Sequence, residues 1–400
     1  MATADAVAPS ALAVSSGDPE KVMTELAAAV DKTSVGQDGA ANGTAAAEDE
    51  ESGLAANGYV HEAKAASSVD ETEAIKQLSL PHSSADGLTK KPLGAALATS
   101  TPKPAAKLSA DQQAKYESVL ASVSQWTEVP DKLAKGSTTS PMTDDERMFL
   151  TRECLLRYLR ADKWNVEQTT TRLRNTLTWR REYNVKKLTP EYIGIENETG
   201  KQVITGWDNE GRTCQYLRPS KQNTERSERQ IEHLVFMLER TIDLMPPGQE
   251  TLTLLINFAE TKAGQGATLA QGKHVMYILQ NHYPERLGRA LVTNVPWYIW
   301  TFFKLITPFI DPLTREKIKF NEDSAMHVPR EQLLKECGGL LEFDYDHGEY
   351  WPALNGLCAL KRQAYRERWE KAGKRVGEHE GYLKGGKEKS LAETEASDAS

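Results

Sequence analysis

The chain has 400 residues, 26% of them charged and 39% hydrophobic, and its 49 basic against 57 acidic side chains leave a net charge of −8. The imbalance sits at one end, because Met1 to Ala105 hold 15 Asp or Glu and 7 Lys or Arg, which is −8 by itself. The remainder is neutral, and a neutral body with an acidic end excludes the basic stripe of a nucleic-acid binder, so no nucleic acid is expected as a partner.

In chain order, residues 1–108 read as a disordered acidic tail. Up to Pro104 the only aromatic residue is Tyr59, and so little apolar surface does not offset the entropy of ordering a backbone, about 1–2 kcal/mol per residue. The start carries no apolar run suited to a signal peptide, and Cys154, Cys214, Cys337 and Cys358 form no CxxC pair. A reducing, cytoplasmic setting is the expectation.

Residues 109–190 read as an N-terminal helical lobe. Ala110 to Val123 is weakly helical and is followed by a linker rich in Pro and Ser. Asp144 to Ala161 places Met148, Leu155, Leu156 and Leu159 on one helical face beside Arg157 and Arg160. Asn165, with Gln168 three residues on, opens a further helix, and Trp164 and Trp179 are core anchors. After Gly200, Gln202 to Trp207 and Thr213 to Leu217 flank Asp208-Asn209-Glu210-Gly211, a hairpin signal. Ser227 with Gln230 suggests a capping box for a helix that stops at Pro246-Pro247-Gly248.

Thr251 to Phe258 is nearly continuously apolar, as a strand covered on both faces should be. Val275, Ile278 and Leu279 mark another helix, and Arg289 to Asn294 and Lys317 to Phe320 read as strands. Leu291 to Ile310 has the length of a membrane span, but Pro296, Lys304 and Pro308 divide it into a shorter interfacial or buried helix. Strands alternating with helices give an α/β fold with a mainly parallel sheet. The stretch after Lys389 reads as a second disordered tail, within a C-terminal region spanning 357–400.

No catalytic residue can be assigned. GxxxxGK[ST], GxSxG and HExxH are absent, and Leu269 stands where a dinucleotide loop opened by Gly264-Gln265-Gly266 needs its third glycine. Glu322 and Asp323 read as an exposed acidic turn. His274 and His282 read as helix-surface or pocket-wall residues, so no metal is expected.

Three segments carry a resemblance: RYLRADKW at Arg157 to Trp164, HYPERLGRALVTNVPW at His282 to Trp297, and PFIDPLTREKIKF at Pro308 to Phe320. Together they resemble the CRAL-TRIO family of secretory-fourteen-like phosphatidylinositol transfer proteins, from about Asp144 to Leu354. ENETGKQV, HLVFMLER and YWPAL resemble its fungal drug-resistance branch. The resemblance implies a non-enzymatic carrier whose lipid-binding domain covers 191–356, with an apolar pocket against the sheet and a mobile gate helix closing it. It implies a gate at Trp297 to Phe309, with Trp297, Trp300, Phe302, Phe303, Ile306 and Phe309 as gate or pocket residues. It implies a headgroup site at Lys163, Glu285, Arg286, Thr314 and Lys317, in which Glu285 orients the basic groups.

Asp162 stands where the best-known member of the family has a basic residue, which should weaken or alter one headgroup contact, and Asn257 to Ala270 do not match that member's Ser- and Tyr-rich phosphatidylcholine-binding pattern. The resemblance implies phosphatidylinositol as the ligand, with, from the drug-resistance branch, a sterol as second ligand, phosphatidylcholine bound poorly, and no cofactor beyond the bound lipid. A lipid kinase is a further partner, and the chain is expected to visit membranes such as the endoplasmic reticulum, plasma membrane or lipid droplets transiently. Two alternatives stand beside the carrier: a lipid sensor that presents its cargo to a kinase, and a nucleotide-dependent enzyme using Gly264 to Gly266.

Overall fold

The computed structural model describes residues 71–398. Helix α1 (Glu71–Gln77) leads into an extended strap, and α2 (Ala110–Ser124), the short β1–β2 hairpin (Glu128–Pro130, Thr139–Pro141), α3 (Asp144–Phe149), α4 (Arg152–Ala161) and α5 (Val166–Glu182) build the helical lobe. Its core is Tyr116, Val119 and Val123 of α2 packed on Leu155, Leu159, Leu173 and Leu177. The stretch 144–161, expected as one helix, is broken at a corner. Buried Leu150 has its carbonyl taken by the amide of Gly377, and Thr151 restarts the helix by accepting from the Cys154 amide. A side chain that caps a new N-terminus and a carbonyl drawn to a distant partner together outweigh helical continuity.

The second part is one five-stranded sheet and its crossovers. In chain order come β3 (Gln202–Trp207), β4 (Thr213–Leu217), α6 (Glu228–Asp243), β5 (Leu252–Asn257), α7 (Leu269–His282), β6 (Leu287–Thr293), α8 (Trp297–Ile306), α9 (Pro312–Glu316) and β7 (Ile318–Phe320). The strand order is β3-β4-β5-β6-β7, with β3–β4 antiparallel and every later pair parallel, which matches the expected mainly parallel sheet. The predicted hairpin falls on the observed strands. Asp208 shapes its turn by accepting from the amides of Glu210 and Arg212 at 2.8 and 2.9 Å. Ser227 precedes α6 but makes no side-chain cap; Gln230 turns instead to Thr224 and Glu225, which lie nearer its amide.

Register fixes which residues share a face. Gln215 and Leu254 align with Ala290 and Ile318, and Leu217 and Ile256 align with Val292 and Phe320. That face is polar only on the β3–β4 side, where Gln202, Gln215 and Thr241 of α6 form a buried hydrogen-bonded chain. Toward β7 it is apolar. The run Leu291 to Ile310 is divided, as expected, into the end of β6 and α8, and no helix among the described residues is long and apolar enough to cross a membrane.

Both tail expectations need correction. Residues 1–70 lie outside the described residues, but residues 71–104 hold to the body. Leu93 is fully buried with its amide on Thr205 Oγ1 (3.0 Å), Gln332 Nε2 donates to the carbonyls of His82 and Ala95, and Thr89 bridges to the segment around Phe343. A few inserted apolar residues and polar partners that exist only in the folded protein order this strap, so its composition gave no sign of it. At the other end α10 (His347–Lys371) is followed by α11 (Glu380–Leu383) and α12 (Leu391–Asp398). The supposed tail after Lys389 is thus helical. Ser390 and Glu393 cap α12 reciprocally, Arg375 pairs with Glu395, and Glu378 Oε1 accepts from the Leu391 amide.

Candidate functional site

The apolar sheet face is covered by the connection between β6 and β7. Because these strands are parallel, the chain must travel from the end of β6 back to the level where β7 begins. Helix α8 makes most of that return. Pro296 precedes it in extended conformation, and Pro308 follows it in a short 3-10 turn.

Its aromatic residues meet the sheet. The Trp300 ring lies 4.4 Å from that of Phe320, and Phe303 sits edge-on to Phe320 at 5.1 Å and to Phe258 at 6.4 Å. Tyr298 donates to the Thr261 carbonyl at 2.6 Å. Ile299 and Ile306 are buried; Trp300, Phe302 and Phe303 are half-buried. Each fully buried side chain of this size contributes about 1.5–3 kcal/mol. Against α7 the fit is close, since a Cβ on Gly272 would stand 2.7 Å from Ile306 Cδ1 and 3.0 Å from Phe302 Cζ. The lid is seated. Trp297, at its leading end, is 79% exposed. The side chain of Phe309 lies outside the described residues.

Four of the five residues expected to meet a headgroup lie at the other end of the strands. Glu285 and Arg286 immediately precede β6, while Thr314 lies on α9 and Lys317 immediately precedes β7. The Ala290 amide donates to the Lys317 carbonyl at 2.9 Å, so Lys317 stands beside the first residues of β6. Lys163 is exposed on the left-handed turn (φ 52°) after α4. Among the described residues, the side chains of Lys163, Thr314 and Lys317 make no hydrogen bond or ion pair, whereas Glu285 and Arg286 are engaged.

Glu285, with φ 56°, accepts from Arg160 Nε at 2.6 Å. Arg286 is turned inward, its Nη1 donating to the Glu250 carbonyl at 2.9 Å. Burial, and then the neighbouring Arg157, lower its pKa from the ordinary guanidinium value. Glu250 Oε2 accepts from Arg157 and Arg160 at 2.9 and 3.0 Å, and Arg157 reaches Glu380 of α11 at 2.7 Å. Burial acts to raise the Glu380 carboxyl, but Arg157 and Arg286 outweigh it and hold it well below the usual range.

Sequence reasoning noted Arg157 and Arg160 as charges on a helical face and missed Glu250 and Glu380 altogether. Spacing of three on α4 is the only signal that the two arginines share partners; nothing local marks the acids. Asp162 is also turned inward, accepting from Arg172 at 2.7 Å. His282 corrects an expectation too: it is a core residue stacked 4.2 Å from Trp179 and bonded to Thr176, and burial followed by Arg172 and Arg180 pushes it down to about 3. Glu322 Oε2 lies 3.1 Å from His327 Nε2, and of the two acids only Asp323 is exposed. The loop at Gly264 to Gly266 is tied by Arg226, which donates to the Gly264 carbonyl, and lies under Ile299.

The CRAL/TRIO domain model matches residues 197–339, and the model of the CRAL/TRIO N-terminal domain matches residues 115–175. A CRAL-TRIO domain-containing protein of Schizosaccharomyces pombe is 51% identical over 281 residues, 70% of this chain but only 28% of that protein. Phosphatidylinositol transfer protein PDR17 of Saccharomyces cerevisiae is 37% identical over 265 residues, 62% of this chain and 76% of the relative. The SEC14 cytosolic factor of Candida glabrata is 26% identical over 219 residues, 48% of this chain and 71% of its own length. Among solved structures, that of Sfh5 covers 65% of this chain and 99% of its own, at 16% identity and a TM-score of 0.45. With both domain models matched in order, and with more than a third of positions shared over most of a relative's length, the chain belongs to the CRAL-TRIO family.

Proposed function

We propose that this chain carries one phosphatidylinositol molecule between membranes, holding the acyl chains between the sheet and α8 and the headgroup at the end where β6 and β7 begin. The observation that carries the reading is the apolar helix α8 packed over the sheet, with the uncommitted cation Lys317 just before β7. Sheltering an eighteen-carbon chain is worth on the order of 14 kcal/mol at about 0.8 kcal/mol per methylene. The aromatic side chains of α8 are of the type that supplies such shelter and also suits a membrane boundary. A phosphodiester leaving water needs donors, and Lys163, Thr314 and Lys317 have theirs free. Relatives named as phosphatidylinositol transfer proteins support the same ligand.

On this reading the chain acts by exchange and not by bond chemistry, needs no cofactor besides its lipid, works in the cytoplasm and touches membranes transiently. A sterol is the second ligand, and phosphatidylcholine is bound poorly. Presentation of the lipid to a kinase is the companion reading, favoured if the purified protein binds phosphatidylinositol but moves little of it between vesicles. Transfer from donor to acceptor vesicles tests the assignment with Lys317→Ala. A fall of about tenfold, with thermal stability unchanged, is expected for the loss of one charged hydrogen-bond donor. Unchanged transfer by the folded variant overturns the headgroup assignment.

A further inference from the structure

The residue matched to the headgroup carboxylate, Glu285, is the last member of a continuous chain of ion pairs that begins far outside the matched domains. Glu380 Oε1 accepts from Arg157 Nη2 at 2.7 Å; Arg157 Nη1 reaches Glu250 Oε2 at 2.9 Å; the same oxygen takes Arg160 Nη2 at 3.0 Å; and Arg160 Nε donates to Glu285 Oε2 at 2.6 Å. Four guanidinium-carboxylate contacts of this kind are short, charge-assisted and directional, so each member limits the orientation of the next. Glu380 is well placed to anchor the series. It is buried, takes a second bond from Thr151 Oγ1 at 2.7 Å, and its own amide is held by Glu153 Oε2 at 2.7 Å. Glu285 sits at the other extreme, half-exposed beside the strand ends.

We propose that Glu380, in the C-terminal segment beyond the lipid-binding domain, is a positioning residue for the headgroup end: it fixes Arg157 and, through Glu250 and Arg160, sets the orientation of the Glu285 carboxylate. The C-terminal segment is then part of what selects an inositol headgroup, and not only a brace for the helical lobe. This rests on the phosphatidylinositol reading, so the test separates the two.

The full chain is prepared as wild type, Glu380→Gln, Glu285→Gln and the double variant. The Arg160 side-chain Nε–H resonance in arginine-labelled protein reports the relay, and the ratio of phosphatidylinositol to phosphatidylcholine exchanged between vesicles reports selection. Glutamine keeps the shape and one acceptor, and a melting curve checks the fold. Glu380→Gln should shift the Arg160 resonance and lower the ratio by about threefold to tenfold, the range typical of a coupled network member. The double variant should be no worse than Glu285→Gln alone, because both act through one carboxylate.

A resonance that stays put in folded Glu380→Gln overturns the relay whatever the ratio does. Multiplied losses in the double variant overturn it as well, since they describe an independent structural effect. If the resonance moves while even wild type shows no preference for phosphatidylinositol, the ligand reading falls and takes the proposed role with it.

Discussion

Replacing Gly272 with valine should lift the lid. On α7 the position faces Ile306 and Phe302 of α8, and a Cβ would stand 2.7 and 3.0 Å from their tips, where ordinary contacts are about 3.5–4.0 Å. Alanine is the milder probe, because Ile306 Cδ1 is the end of a side chain that can rotate and because α7 gains about 1 kcal/mol of helix propensity. Valine adds two branched methyls in the same space, and overpacking of this kind costs about 1–3 kcal/mol. Its propensity gain over glycine is only a few tenths, which leaves a net cost of about 0.6–2.6 kcal/mol placed on the docking of α8. The undocked population should rise by roughly threefold to eightyfold. Hydrogen exchange of the amides of residues 297–306 measures it directly, and exchange of bound lipid with vesicles should quicken in parallel. Equal protection of these amides in Gly272→Val and wild type would refute the packing argument.

Three further outcomes follow from the same geometry. Leu93→Ala, in the strap before the helical lobe, should cost about 2–5 kcal/mol of stability as a fully buried leucine does; a loss under about 0.5 kcal/mol would mean that the strap is not part of the core. Trp297→Ala should leave the denaturant midpoint unchanged and weaken cosedimentation with vesicles by about 1.5–3 kcal/mol, and equal binding would remove Trp297 from the membrane contact. His282 is held neutral by burial and by Arg172 and Arg180, down to about 3, so between that value and its ordinary pKa near 6.5 the unfolded chain binds a proton that the folded chain does not. Its contribution is complete above pH of about 6.5 and is reduced by at most about 2 kcal/mol at pH 5. Glu153, pushed up to about 7 by burial and Glu380, works in the opposite sense, so the difference between wild type and His282→Phe is what carries the test; parallel stability curves would refute it.

Legibility varied with how local the cause was. The β3–β4 hairpin and β5 were readable because alternation, a turn signal and an apolar run are properties of neighbouring residues. Helix α8 was readable as composition between two prolines, but its seating on Gly272 was not, since a glycine in α7 says nothing about which helix will approach it. Glu285 was singled out by motif, while the side chains linked to it come from α4, the turn before β5 and α11, segments that only the tertiary fold brings together. Capping shows both outcomes. Thr143, Thr151 and Asn165 cap as their types suggest, Ser227 does not, and the Ser390–Glu393 box was legible yet passed over inside a stretch that looked unfolded. Composition failed for the strap because three or four anchoring side chains in thirty residues do not change an average.

Native mass spectrometry of the purified full chain, followed by identification of whatever lipid is released, bears most directly on the claim that α8 closes a lipid-holding space. The account predicts one phospholipid per chain, with phosphatidylinositol dominant over phosphatidylcholine. A protein that arrives without any lipid and takes none up from vesicles containing phosphatidylinositol, or one loaded mainly with phosphatidylcholine, would contradict it.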